Sequence, residues 1–308
     1  MKQTNPLREG VMYGGIYLVL LCLIAFVPGI GILGTIILPL PFLLFAARWD
    51  IRISFAFSFL VIALSLLVLY PALPMVMVAV TGGLALGIAL KQDKSPYEAW
   101  AQGAAGFVVG ILLFYVLSLW LFQVNWITQF NQYMTESMET SRQMLESISG
   151  TISEERVQLL EEQANQLSLL LPSFMGIFSI VIAFLTLWIG FKVHNKVYKT
   201  SYAFPPVREL TLPKVLLWYH LIAVIATWIN AESGTMLYEA TQNIYTLTGF
   251  FMTLQGITFI FAYAHAKKLP KIFSIIGVIV GATLLVYPIM ILGIIDLGFS
   301  LRERIKKN

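Results

Sequence analysis

The feature that most constrains this chain is a succession of nine apolar runs, near residues 11–28, 31–47, 53–70, 72–90, 101–124, 173–191, 215–230, 246–264 and 272–299. A bilayer core of about 30 Å is crossed by about 20 helical residues, and most of the runs fit one crossing. Of the 308 residues, 58% are hydrophobic and 12% charged. Soluble domains carry about 25% charged residues, so this chain cannot cover its surface in water. Backbone in hydrocarbon must satisfy its own hydrogen bonds, which leaves the helix as the spanning element. The expected fold is all-α: a polytopic transmembrane helical bundle of about 8–10 spans, with lipid as its first partner.

The basic residues set the threading. With the N-terminus in the cytoplasm and one crossing per run, the inside segments hold fourteen of the twenty, among them Arg8, Arg48, Arg52, Lys91, Lys94, Lys192, Lys196, Lys199, Arg208, Lys214, Lys267 and Lys268. Outside segments up to residue 271 hold two, Arg142 and Arg156. Lysine and arginine favour cytoplasmic loops, so a multi-pass cell-membrane protein with a cytoplasmic N-terminus is expected. The basic balance reflects these loops and points to no nucleic-acid partner. The lead MKQTNPLREG has no small-residue cleavage site after it and reads as part of a retained span. Pro39 and Pro41 predict a kink in the second run. The last run carries Pro288 and ends before Arg302, Arg304, Lys306 and Lys307. Either it crosses once as a tilted helix, or it breaks near Tyr287-Pro288 and returns the tail to the cytoplasm.

Residues 125–172 interrupt the membrane pattern with seven glutamates and two arginines. Met134, Met138, Ser141, Leu145 and Ile148 follow helical spacing. Thr151 and Glu154 form a capping-box pattern ahead of a second stripe, Val157, Leu160, Ala164, Leu167 and Leu171. Two amphipathic helices in an extracytoplasmic hairpin are expected. The organisation is then an N-terminal membrane bundle of about five spans over 1–127, the acidic hairpin over 128–171, and a C-terminal bundle of about three to five spans over 172–308.

No GxSxG, HExxH or Walker lysine loop is present, and no enzymatic activity or cofactor is expected. His194, His220 and His265 match no metal spacing, and the lone Cys22 lies in an apolar run, so no metal site is read from sequence. Intramembrane polar residues are costly, which singles out Asp296 and Gln255. Asp296 could also be a helix-end acid partnered by Arg302 or Arg304. At the outer ends of spans seven and eight, Trp228, Asn230, Glu232, Tyr238, Glu239, Asn243 and Tyr245 could hold a small polar or aromatic solute. An interfacial aromatic belt with solvated acids explains the same residues without a ligand. Glycines one turn apart, Gly10 with Gly14, Gly83 with Gly87, Gly106 with Gly110 and Gly277 with Gly281, mark close helix packing within the chain or against a membrane partner subunit.

Three stretches together carry a resemblance: GIGILGTIILPLPFLLFAARWDIR, the hairpin end LLLPSF, and GIIDLGFSLRERIKK. They resemble the YybS-like family of bacterial integral membrane proteins. The membrane portion is more distantly similar to the S components of energy-coupling-factor transporters and to the cell-shape membrane protein MreD. The S-component likeness implies that Gly10 and Gly14 would dock a coupling subunit. Two functions follow as expectations: a solute-binding or transport component without its own ATPase, or a scaffold or regulatory subunit of a membrane or cell-envelope assembly.

Overall fold

The computed structural model describes residues 5–27, 29–149, 159, 166–229, 234–270, 272, 275–279 and 285–307. Among them there is no strand. In chain order the helices are α1 (Pro6–Phe26), α2 (Gly31–Ile37), α3 (Leu40–Ala46), α4 (Ile51–Leu69), α5 (Leu73–Lys91), α6 (Pro96–Phe122), α7 (Trp126–Ser149), α8 (Leu171–Tyr198), α9 (Val215–Ile229), α10 (Met236–Ala266), α11 (Val286–Phe299) and α12 (Leu301–Lys307). Among the described residues, five helical stretches are long and apolar enough to cross a bilayer. One of them, Ile51–Lys91, is divided into α4 and α5 by a 3-10 turn at Tyr70–Ala72.

Local chemistry sets the boundaries. Asn5 caps α1, its Oδ1 accepting from Leu7 N–H at 3.0 Å, with Pro6 at the first position. Ser95 and Glu98 close a capping box on α6, and Gln123 ends that helix in the left-handed region at φ 56°. The expected kink at Pro39 and Pro41 is a break between α2 and α3, because proline offers no N–H to the helix ladder.

The chain forms two compact units. The first comprises residues 1–168 and 178–203, the second residues 169–177 and 204–308. Most of α8 packs within the first unit.

The first unit is closed by backbone approach and aromatic stacking. A Cβ on Gly106 would lie 2.8 Å from the Thr81 carbonyl oxygen, and one on Gly110 would lie 2.7 Å from Val78 Cα, so α5 and α6 touch main chain to main chain. Phe45 stacks on Phe57 at 4.2 Å between ring centroids, and Tyr17 meets Phe42 edge-on at 4.9 Å. Gly14 faces Phe57 and Val61, both at 3.7 Å from an added Cβ, and Gly10 faces Phe57 and Phe45. The Gly10–Gly14 face is thus occupied by the chain itself. Gly277 approaches Ile260, while Gly281 lies outside the described residues.

Polar and apolar groups are distributed as lipid requires. Ser54, Ser58, Ser65 and Thr186 are buried, and Ser58 and Ser65 return their hydroxyls to carbonyls four residues back. Val11 and Leu67, at 78% and 84% exposure, point outward. In water such a surface would associate, whereas in a bilayer it is solvated.

One end of the first unit gathers segments that the charge count placed together. Glu9 accepts from Arg48 and from Trp49 Nε1, each at 2.8 Å. Lys91 Nζ donates to the Arg48 carbonyl at 2.9 Å. The Arg48 guanidinium lies over the Tyr198 ring at 4.9 Å, and the Tyr198 and Tyr13 hydroxyls meet at 2.7 Å. The start of α1 and the ends of α3, α5 and α8 therefore share that end.

In α7, a 24-residue helix, Met134 and Met138 are half-buried and Tyr133 and Met144 are exposed. Leu167 is exposed and helical, and Leu171 opens α8 half-buried. The rest of the expected second hairpin helix lies outside the described residues, with Thr151, Glu154, Val157, Leu160 and Ala164, as do the side chains of Leu145 and Ile148.

Candidate functional site

The polar residues picked from the last two apolar runs meet in the second unit. Gln255 lies on α10 and Asp296 on α11, and both are buried. Gln255 Nε2 donates to Asp296 Oδ2 at 2.6 Å, and Arg302 Nε donates to the same oxygen at 2.8 Å. Ser300, left-handed at φ 50°, turns the chain between α11 and α12 and sets Arg302 beside the acid.

Arg302 is spent on several segments at once. Its Nη1 donates to the Arg208 and Leu210 carbonyls at 3.1 and 2.6 Å, and its Nη2 donates to the Thr258 hydroxyl. Gln255 completes the cluster by accepting from Leu212 N–H at 2.9 Å. A guanidinium offers five donors in a rigid fork, so one side chain joins α10, α11 and the loop before α9. The other Asp296 oxygen, Oδ1, is buried with no partner among the described residues.

Helix α11 packs against α10: Met290 approaches Gly249 and Asp296 meets Gln255. Cβ atoms on Gly256 and Gly293 would collide with the Ile289 and Met252 carbonyl oxygens, which lets the two backbones cross in contact. Leu285, at φ −130° and ψ 40°, is not helical and α11 starts after it with Pro288 in its first turn, so run 272–299 is not one unbroken helix. The tail from Leu301 onward lies at the same end of this unit as the loop 207–212 and as His265, which Arg208 approaches at 3.5 Å.

The residues expected at the outer ends of spans seven and eight are placed separately. Trp228 ends α9 at 82% exposure. Tyr238 is half-buried in the first turn of α10 and Glu239 is exposed. Asn230 and Glu232 lie outside the described residues. Asn243 is a clamp: its Nδ2 donates to the Leu169 and Glu239 carbonyls, each at 2.9 Å, and its Oδ1 accepts from Ser173 N–H and Oγ–H at 2.9 and 2.7 Å. Tyr245 stacks on His220 at 5.5 Å. Trp126 is exposed and Asn125 caps α7, accepting from Ile127 N–H at 3.0 Å. Sequence reasoning singled out Asn243 and Tyr245 but not Ser173 or His220, their contacts, since Ser173 stands 70 residues from Asn243.

A family model described as Predicted membrane protein (DUF2232) matches residues 15–297. The chain belongs to this family. The DUF2232 match takes in Gln255, Thr258 and Asp296 and ends just before Arg302. Uncharacterized protein YybS of Bacillus subtilis (strain 168) is 28% identical over 311 residues, covering 99% of this chain and 100% of its own. No solved structure matches the chain. Family membership establishes an integral membrane protein, as the apolar helices require.

Proposed function

We propose that this chain is a non-enzymatic scaffold subunit of a membrane or cell-envelope assembly. Its membrane helices anchor it, and α7 presents a contact surface outside the cell. The N-terminus, the ends of α3, α5 and α8, and the basic loop 199–214 would lie in the cytoplasm, where lysine and arginine concentrate. The observation that carries this reading is the contrast between α7 and Asn243. The helix offers a half-exposed methionine stripe beside a glutamate-rich face. The amide of Asn243 is instead committed to Ser173 and Leu169 around the start of α8 and to the Glu239 carbonyl.

Photocrosslinkers at Glu146 and Lys199 in living cells test the proposal. A discrete protein adduct at Glu146, with any adduct at Lys199 lost on deletion of residues 130–168 while the membrane part still folds, is the expected result. Adducts with lipid and with the chain itself alone would contradict it.

A second reading is a solute-binding or transport component, favoured by the exposure of Trp228 and Glu239 at the outer ends of α9 and α10. It predicts that some small polar or aromatic metabolite raises the melting temperature of the purified protein, and that Trp228→Ala removes the shift. Against its S-component form, the face of Gly14 is filled by Phe57 and Val61.

A further inference from the structure

We infer that His220 and Met290 form a site in the second unit for a soft monovalent metal ion, cuprous or silver(I). His220 on α9 is 1% exposed. The Thr248 hydroxyl donates its one hydrogen to the Ile244 carbonyl at 2.7 Å, so it can only accept from His220 Nδ1, 3.0 Å away. The proton of the neutral ring is therefore on Nδ1, and Nε2 carries a bare lone pair. That nitrogen is buried and has no hydrogen-bond partner among the described residues. A polar atom in hydrocarbon without a partner is costly and calls for a ligand.

Gly249 brings a second donor to the same place. A Cβ there would stand 3.4 Å from Met290 Sδ and 3.8 Å from His220 Cε1, the carbon between the two ring nitrogens. Sulfur and imidazole thus border one spot between α9, α10 and α11. The methionine side chain has three rotatable bonds with which to bring its sulfur into line, while stacking on Tyr245 at 5.5 Å holds the imidazole plane. Both ligands are neutral, the thioether soft and the imidazole borderline, a combination that suits cuprous ion. Without a ligand charge to offset it, a divalent ion would be far more costly than a monovalent one in so apolar an interior. Among the described residues no three of His, Cys, Asp or Glu gather to hold a metal, so the usual hard and borderline sites are not competitors here. The Thr248–His220 hydrogen bond plays the positioning part, as a partner on the other ring nitrogen does in metal-bound histidines.

Full-length protein in nanodiscs, titrated with cuprous ion held by a chromophoric competitor, tests the site. Wild type should withdraw about one equivalent per chain. His220→Gln should abolish this, and Met290→Leu and Thr248→Val should weaken it by about tenfold or more. X-ray absorption of the silver(I)-loaded wild type needs no variant to fold, and should show one nitrogen and one sulfur neighbour. Withdrawal of no cuprous ion by wild type, a first shell lacking either neighbour, or binding that persists in His220→Gln but is lost in Cys22→Ser would overturn the inference.

Discussion

Arg302 and Asp296 form an ion pair at 2.8 Å, with side chains only 11% and 2% exposed. A buried pair contributes little net stability over an apolar pair, but leaving one charge alone is expensive. Here the pair also orders the chain. The same guanidinium holds the Arg208 and Leu210 carbonyls and the Thr258 hydroxyl, so the tail, the loop before α9, α10 and α11 are fixed by one residue.

Arg302→Gln should therefore destabilise the second unit by about 3–5 kcal/mol, and Asp296→Asn by a similar amount. The double variant should lose less than the sum, because neither charge is then stranded. Arg302→Lys should not rescue, since an ammonium cannot reproduce the planar fork. Unfolding of the purified protein in mild detergent, followed by intrinsic fluorescence, measures all four variants.

Asn243→Leu should free the start of α8 from α10. Ser173 N–H and the Leu169 carbonyl would lose their partner, at about 1–3 kcal/mol. Amide hydrogen exchange should rise across residues 169–177 and stay unchanged across α4.

Gly293→Ala should cost about 2 kcal/mol or more, since its methyl meets the Met252 carbonyl oxygen at a helix crossing rather than a movable side chain. Gly15→Ala, with nothing within 4 Å, should be neutral or slightly stabilising. Thermal melts of the two variants against wild type decide this.

These expectations show where the sequence was readable. The spans were legible because hydrocarbon imposes one composition on every crossing, and Pro39 and Pro41 marked the α2–α3 break. Asp296 and Gln255 stood out because each interrupts an apolar run. Their pairing did not, for they are 41 residues apart and depend on α11 running alongside α10. The Tyr13–Tyr198 contact spans 185 residues and has no local signal at all. Among the outer residues, chemistry alone could not separate Asn243, engaged in a helix clamp, from Trp228, left exposed.

The central claim is that Arg302 keeps the tail beside the loop 207–212; the proposed threading puts both in the cytoplasm and α7 outside. In a Cys22→Ser background, single cysteines at Ser147, Thr200 and Lys307 can be challenged with a membrane-impermeant thiol reagent. Labelling at Ser147 in intact cells, with Thr200 and Lys307 reacting only after permeabilisation, is the predicted pattern. Labelling at Lys307 in intact cells while Thr200 stays protected would contradict the account.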